Sequence, residues 1–210
     1  MEETTGITTQ TYNNCADAYE AKFSDYADYR EMMARFVSGY LKAGASVLDL
    51  GCGPGIHAEF LMDAGAGSLF GVDLSVEMVE RARARVPLGR FEVGDMRGLS
   101  FFETFDVVVA AFCIVHLAGD EVKALLSRIG EWLNPGGSLF LSFMTGKEDG
   151  FETTSFSSGE SIHFCYHDKA FVQSHLMAFG LEVVEEHGQA YPEPDGSLTT
   201  DCFLFCRKTL

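Results

Sequence analysis

Basic residues are scarce in this chain. Its 210 residues hold 15 Lys and Arg against 31 Asp and Glu, a formal net charge of −16. So acidic a surface repels phosphate backbones and anionic lipid heads, which argues against nucleic acid and membrane as partners. The one concentration of cations, Arg81, Arg83 and Arg85, falls late in a predicted helix, where cations complement the helix C-terminus. Long apolar runs are also missing. The run 105–117 contains Asp106 and His116 and is too short for a membrane span. The opening Met1-Glu2-Glu3-Thr4-Thr5 has neither the basic start nor the apolar stretch of a secretory signal, so the expected location is cytoplasmic. No Cys-x-x-Cys pair occurs among Cys15, Cys52, Cys113, Cys165, Cys202 and Cys206, and none has zinc-finger spacing. They read as reduced thiols packed as small hydrophobes, with Cys202 and Cys206 on one face of a strand. Hydrophobic residues at 47% and charged residues at 22% exclude a disordered or fibrous chain.

What is present is an alternation of strand and helix patterns. Residues 11–42 repeat apolar side chains at spacings of three and four, among them Cys15, Tyr19, Phe23 and Tyr26, then Met33, Phe36, Tyr40 and Leu41. This predicts an N-terminal helical cap. Strands are predicted at 46–50, 68–73, 90–94, 105–113 and 138–143. Helices are predicted at 56–64, after Ser75 as N-cap, and after Asp120 as N-cap. Residues 144–166 are rich in Gly, Ser, Thr and Phe without a period. They read as a long loop, unable to pack a core of its own, that closes over the site as a lid. Asp168 caps a last helix, which carries His175 on its apolar stripe as a buried structural histidine. Strands at 181–189 and 197–206 flank Pro192-Glu193-Pro194-Asp195-Gly196 as an antiparallel hairpin. The pattern predicts one α/β domain over 1–210 with its core at 46–207. Its doubly wound, mostly parallel sheet carries helices on both faces and one reversed strand.

The densest chemical signal is Asp49-Leu50-Gly51-Cys52-Gly53-Pro54-Gly55, between a strand and a helix. Glycines there let a ligand approach the backbone and present N–H groups near a helix N-terminus. A dinucleotide fingerprint has its third glycine where Ile56 stands, and a bulky side chain there hinders close helix–strand contact. Asp49 repels phosphate and suits a cation. Asp73 ends the second strand, 20 residues beyond Gly53, placed to accept from two ribose hydroxyls. Asp95 beside Met96 offers a carboxylate and an apolar wall to an adenine edge and ring. Three acids thus end three successive strands, at the edge where open α/β sheets bind ligands.

In this order and spacing, Val47-Leu48-Asp49-Leu50-Gly51-Cys52-Gly53-Pro54-Gly55, Gly71-Val72-Asp73-Leu74-Ser75, Gly94-Asp95-Met96, Phe105-Asp106-Val107 and Leu133-Asn134-Pro135-Gly136-Gly137 resemble the motifs of class I S-adenosylmethionine-dependent methyltransferases. The resemblance covers residues 10–207. It implies a Rossmann-like seven-stranded sheet with the last strand antiparallel, and S-adenosylmethionine as cofactor. By this resemblance the Gly51-Cys52-Gly53 turn brackets the methionine part and Asp49 favours its ammonium. Asp73 binds the ribose hydroxyls, with Leu74 and Met78 beside the adenine. Asp95 and Met96 hold the adenine amino group and ring. Ala111 and Phe112 line the floor near the sulfonium. The cofactor carries a sulfonium and no phosphate, so acids are tolerated around it. The segment from Tyr12 to Tyr19 resembles the first helix that covers the cofactor, and its tyrosines offer ring faces to the sulfonium. Tyr19, Phe23 and Tyr26 equally form an ordinary helix packing stripe.

The acceptor side is read largely by exclusion. Ala110-Ala111-Phe112-Cys113-Ile114-Val115-His116 lacks the Asn/Asp-Pro-Pro-aromatic motif of the family's nucleic-acid amino-methylating members. Phe112, Cys113 and Ile114 are unsuited to a metal, so none is implied. His116 is the best-placed base, and it equally suits packing against a neighbouring loop. His163 and His167, with Cys165 between, lack a third metal ligand and better suit an acceptor pocket with Phe156 and Tyr166. The aromatic residues of this stretch point to an apolar or aromatic acceptor. The expected function is methyl transfer from S-adenosylmethionine to a small molecule. The alternatives are a non-catalytic cofactor-binding module or protein partner, and a nicotinamide-dependent oxidoreductase. Against the last stand Ile56, Asp49 and the lack of a Tyr-x-x-x-Lys pair.

Overall fold

The structure, a computed structural model, describes residues 2–192 and 198–209. The predicted turn residues Glu193, Pro194, Asp195 and Gly196 lie outside the described residues. The chain opens with three helices, α1 (Glu2–Asn14), α2 (Ala16–Phe23) and α3 (Ala27–Tyr40). Then come β1 (Ser46–Leu50), α4 (Ile56–Asp63), β2 (Ser68–Asp73), α5 (Val76–Arg85), β3 (Arg90–Val93), β4 (Phe105–Ala111) and α6 (Gly119–Trp132). The remainder is β5 (Leu133–Thr145), β6 (Gly150–Thr153), β7 (Ser161–Phe164), α7 (Lys169–Ala178), β8 (Leu181–Pro192) and β9 (Leu198–Lys208).

Seven strands form the expected Rossmann-like sheet in the order β3-β2-β1-β4-β5-β9-β8. The first five pair in parallel, and β9 runs antiparallel to both β5 and β8. Strand period two sorts side chains to opposite faces. Leu48, Leu50, Val108, Leu139 and Leu141 meet α6 and α7 through Val122, Leu125, Ile129, Val172 and Leu176. Val47, Val107, Val109, Phe203 and Phe205 meet α3, α4 and α5 through Phe36, Leu61 and Val79. Strand direction of connection changes between β1 and β4, and open sheets form a crevice at such a point.

Four expectations need correction. Helix begins at Glu2, not near residue 11, because α1 is Thr-rich and is held by long-range bonds: Thr11 Oγ1 donates to the Ser161 carbonyl at 2.8 Å and Thr8 Oγ1 accepts from His163 N–H at 3.0 Å. Residues 144–166 are not a structureless loop. They contain the β6–β7 hairpin, and Phe156 and Ile162 from this stretch form a small core with Cys15 under Tyr12, Tyr19 and Phe23. The N-cap of α6 is Ala118 rather than Asp120, and the Glu121 carboxylate accepts from the Ala118 N–H at 2.8 Å. His175 is half-buried, with Nδ1 2.8 Å from the Phe171 carbonyl oxygen.

Candidate functional site

After β1 the chain turns through Gly51, Gly53 and Gly55 at φ 65°, 51° and 80°, the left-handed region that glycine tolerates. A Cβ on Gly51 would lie 2.5 Å from the Cys113 Cβ, so only glycine lets this turn rest on the loop after β4. A Cβ on Gly55 would lie 3.0 Å from the Ala82 Cα. The close approach expected to suffer from Ile56 is thus made by Gly55, between α4 and α5. The Gly53 N–H donates to one Asp73 oxygen at 3.0 Å, and the Ser75 N–H to the other at 2.8 Å. Burial raises the Asp73 carboxyl, and those N–H bonds pull it back. Ser75 also caps α5, its side chain accepting from Met78 N–H.

Asp49 is 1% exposed, and neither carboxylate oxygen has a partner. Burial, then the charge of Asp73, pushes it up to about 8. Asp95 is the opposite case. Burial raises it, but Arg97 bonds to both oxygens outweigh that and hold it low. Arg97 also donates to Glu121 at 2.9 Å.

A cavity of about 300 Å³ opens at the C-terminal ends of β1 to β4. Tyr12, Tyr19, Gly51, Gly53, Asp73, Leu74, Met78, Asp95, Met96, Ala111, Phe112, His116 and His163 line it. The sequence reading missed Thr4, Thr5, Thr8 and Thr9 of α1, together with Arg97, Cys113, Glu121 and Cys165. The threonines had a signal, since their spacing puts them on one helix face. A smaller cavity of about 100 Å³ shares Tyr19, Gly51, Gly53, Ala111 and Phe112 and adds Cys52, Arg30 and His57. Burial pushes His57 down to about 4.

Three predicted acceptor residues are not brought to either cavity. Phe156 is buried beneath the cover helices, its ring centroid 5.2 Å from Tyr19 and 5.6 Å from Phe23. Tyr166 turns away and donates its hydroxyl to Glu152 at 2.9 Å. His167 is buried with Nε2 2.9 Å from the Ile114 carbonyl oxygen. A stretch without periodicity gave no way to tell which side chains face inward.

His116 Nδ1 lies 3.0 Å from the His163 carbonyl oxygen, which only accepts, so Nδ1 carries a proton. Burial pushes His116 down to about 4, so the ring is neutral and Nε2 is an acceptor. The Tyr12 hydroxyl donates to it at 3.1 Å. Phe112 has φ 49°, uncommon for a residue with a side chain, and its N–H donates to the Ser142 carbonyl and hydroxyl. Its ring stacks 4.8 Å from Tyr29.

The cover over this cavity is pinned from several sides. Asn13 Oδ1 accepts from the Ser75 hydroxyl at 2.7 Å. Arg81 reaches Asp17 at 2.5 Å, and Arg85 reaches Glu20 at 2.5 Å and Glu59 at 2.8 Å. Arg81 and Arg85 therefore fasten α2 to α5, beyond complementing the end of their own helix. Among the described residues no three His, Cys, Asp or Glu side chains gather as a metal site, and no helix is long and apolar enough to cross a membrane.

Comparison with known proteins places this geometry in context. Residues 47–137 match the family model described as a methyltransferase domain. The chain is 35% identical over 121 residues to the dTDP-3-amino-3,6-dideoxy-alpha-D-glucopyranose N,N-dimethyltransferase of Streptomyces fradiae, across 57% of this chain and 47% of that protein. It is 37% identical over 107 residues to phosphoethanolamine N-methyltransferase 1 of Triticum aestivum, across 49% of this chain and 21% of that protein. It thus spans about half or less of the length of these curated relatives. Among solved structures, the 1,6-didemethyltoxoflavin-N1-methyltransferase of Burkholderia thailandensis shares the fold at TM-score 0.73 and 21% identity, over 100% of this chain and 90% of that one.

Proposed function

We propose that this chain, which has the motifs and fold of the class I S-adenosylmethionine-dependent methyltransferases, is an enzyme that transfers the methyl group of S-adenosylmethionine to a small molecule. The observation that carries this reading is Asp49. A buried carboxyl with two unpartnered oxygens costs stability, and it is expected where a cationic group completes it. The remaining donors fit a cationic, phosphate-free nucleoside. Asp73 and Asp95 line the larger cavity, and Arg97, its one lysine or arginine among the described residues, is already paired. Arg30 in the smaller cavity suits a carboxylate.

In this reading the bound cofactor supplies a methyl group on a good leaving group, so alignment is the main task left to the protein. Asp73, oriented by the Gly53 and Ser75 N–H groups, keeps lone pairs for two ribose hydroxyls. Leu74, Met78 and Met96 flank the base, and Asp95 keeps a lone pair for its amino group. Asp49 lines neither cavity; buried at the end of β1 directly before the Gly51-Cys52-Gly53 turn, it would favour the ammonium from behind that open backbone. Tyr12, Tyr19, Phe112 and Ala111 line the cavity, and the aromatic rings would offer the sulfonium an apolar, electron-rich wall. His116 fixes the Tyr12 hydroxyl at the acceptor end, beside His163.

The names of the two curated relatives, which specify an amino-sugar nucleotide and phosphoethanolamine, support a small-molecule acceptor. The net charge of −16 supports a reading without a nucleic-acid or membrane partner. Calorimetric titration with S-adenosylhomocysteine and with NAD tests the cofactor. Ligand at 100 times its Kd should stabilise the fold by about 2.7 kcal/mol. No heat with S-adenosylhomocysteine, or heat with NAD alone, overturns the assignment. A methyl-transfer screen over metabolites then separates an enzyme from a binding module.

A further inference from the structure

The hydrogen-bond chain at the acceptor end has a single polarity. The His163 carbonyl accepts from His116 Nδ1–H at 3.0 Å, and His116 Nε2 accepts from the Tyr12 hydroxyl at 3.1 Å. The only hydroxyl proton is committed, so the Tyr12 oxygen presents nothing but lone pairs to the cavity. A group that meets this oxygen must bring its own hydrogen. Its neighbours are uncharged: Tyr19 lies 5.8 Å from Tyr12 between ring centroids, the threonines of α1 line the cavity on the same helix, and behind His116 the Phe164 ring lies 5.4 Å away. Ring faces tolerate positive charge and offer nothing to an anion.

Charge sharpens the point. Arg97 is the one lysine or arginine that lines the larger cavity among the described residues. Its guanidinium is held by Asp95 at 2.6 Å and by Glu121 at 2.9 Å. A phosphate or carboxylate entering here would be desolvated without a counter-ion. Size adds a bound. A cavity of about 300 Å³ is at the low end for small-molecule sites, and in this reading cofactor and acceptor share it.

We propose that the methyl acceptor is a small amine without an anionic group, held by an N–H donated to the Tyr12 oxygen. This rests on the methyl-transfer reading of the cavity. The amine lone pair forms the new carbon–nitrogen bond as the carbon–sulfur bond breaks, with that bond's electron pair passing to sulfur. The ammonium so formed releases an N–H proton to water. The amine attacks as its neutral form, after its ammonium has released one proton to water. That loss is much easier than the deprotonation of an aliphatic hydroxyl, for which a base would be needed, and the Nε2 lone pair of His116 is already engaged.

The test uses matched acceptors with the intact chain and S-adenosylmethionine: ethanolamine against phosphoethanolamine, and glucosamine against glucosamine 6-phosphate. Phenol serves as a hydroxyl acceptor. S-adenosylhomocysteine formation gives turnover, and each acceptor is also titrated into the S-adenosylhomocysteine complex. The phosphate-free amine should exceed its partner in kcat/KM by roughly 100-fold, the penalty of an unpaired buried charge. Tyr12→Phe should lower amine kcat/KM roughly tenfold, about one hydrogen bond, and keep cofactor affinity because the ring face remains. Preference for a phosphorylated member, turnover of phenol alone, or no amine bound or methylated by a protein that binds S-adenosylhomocysteine overturns the proposal. Failure to bind S-adenosylhomocysteine is a different result and removes the methyl-transfer reading instead.

Discussion

The Tyr12 hydroxyl donates to His116 Nε2 across 3.1 Å and so ties the first helix of the chain to the loop after β4. The pair is separated by 104 residues, and the bond fixes the tautomer of the histidine and the direction of the phenol together. His116→Leu should leave the Tyr12 hydroxyl without its partner and cost about 1–3 kcal/mol. Adding Tyr12→Phe removes the orphaned group, so the double variant should be more stable than His116→Leu alone, by about 1 kcal/mol. Urea denaturation of the four proteins measures this coupling. Losses that simply add would mean the two side chains act independently.

Asp49 makes stability depend on pH with a defined sign. Its carboxyl is raised from 3.8 to about 8 in the fold. The folded state therefore holds a proton that the unfolded state has lost, and stability declines as pH rises toward 8. Asp49→Asn lacks this slope. Its advantage over the natural chain should grow by about 1 kcal/mol between pH 7 and 8, because the folded carboxyl itself titrates over that interval. His57 and His116, lowered from 6.5 to about 4, act in a different window, removing stability as pH falls below 6.5. Thermal unfolding of both proteins at pH 7 and 8 gives the comparison, and calorimetry should show weaker S-adenosylmethionine binding by Asp49→Asn. A gain that does not grow with pH would mean that Asp49 is ionised in the free protein.

The β1-to-α5 region was legible because its signals are local. Alternating apolar residues, a glycine turn and the Ser75 cap each act within a few positions of themselves, and the observed elements begin where those residues stand. What escaped the reading depends on partners far along the chain. α1 has little apolar face, and its Thr8 and Thr11 bonds span 155 and 150 residues. The β6 and β7 strands are four residues each, too short for a period to emerge. Asp95 was legible as a strand-end acid, but its capture by Arg97 two residues on was not, because that depends on rotamers rather than on pattern.

Arg85 tests how firmly the cover is held. Its side chain is 17% exposed and bonds Glu20 of α2 and Glu59 of α4, so that it clamps the cover helix to two helices of the core. Half-buried charged hydrogen bonds exceed exposed pairs, so Arg85→Met should cost about 1–2 kcal/mol locally. Amide exchange within α2 should then accelerate about tenfold relative to the natural chain, with exchange in β1 and β4 unchanged. Raising salt should speed α2 exchange in the natural chain and have less effect in the variant. Equal acceleration across the whole sheet would show that Arg85 supports global stability and not the cover.

Phe156 separates a packing role from an acceptor role. It was expected to face a substrate, yet it is 6% exposed and sits among Tyr12, Tyr19 and Phe23. It is the largest buried side chain where the hairpin meets the helices that cover the cavity. Phe156→Ala should therefore cost about 3–5 kcal/mol, the range for an aromatic ring removed from a core. Because the lost contacts join the cover to the hairpin, cofactor affinity should fall along with stability. Phe156→Leu keeps most of the volume and should restore both. Chemical denaturation and S-adenosylhomocysteine titration of the two variants decide the matter. A Phe156→Ala protein with normal stability and normal cofactor affinity, but altered acceptor turnover, would return this ring to the substrate pocket.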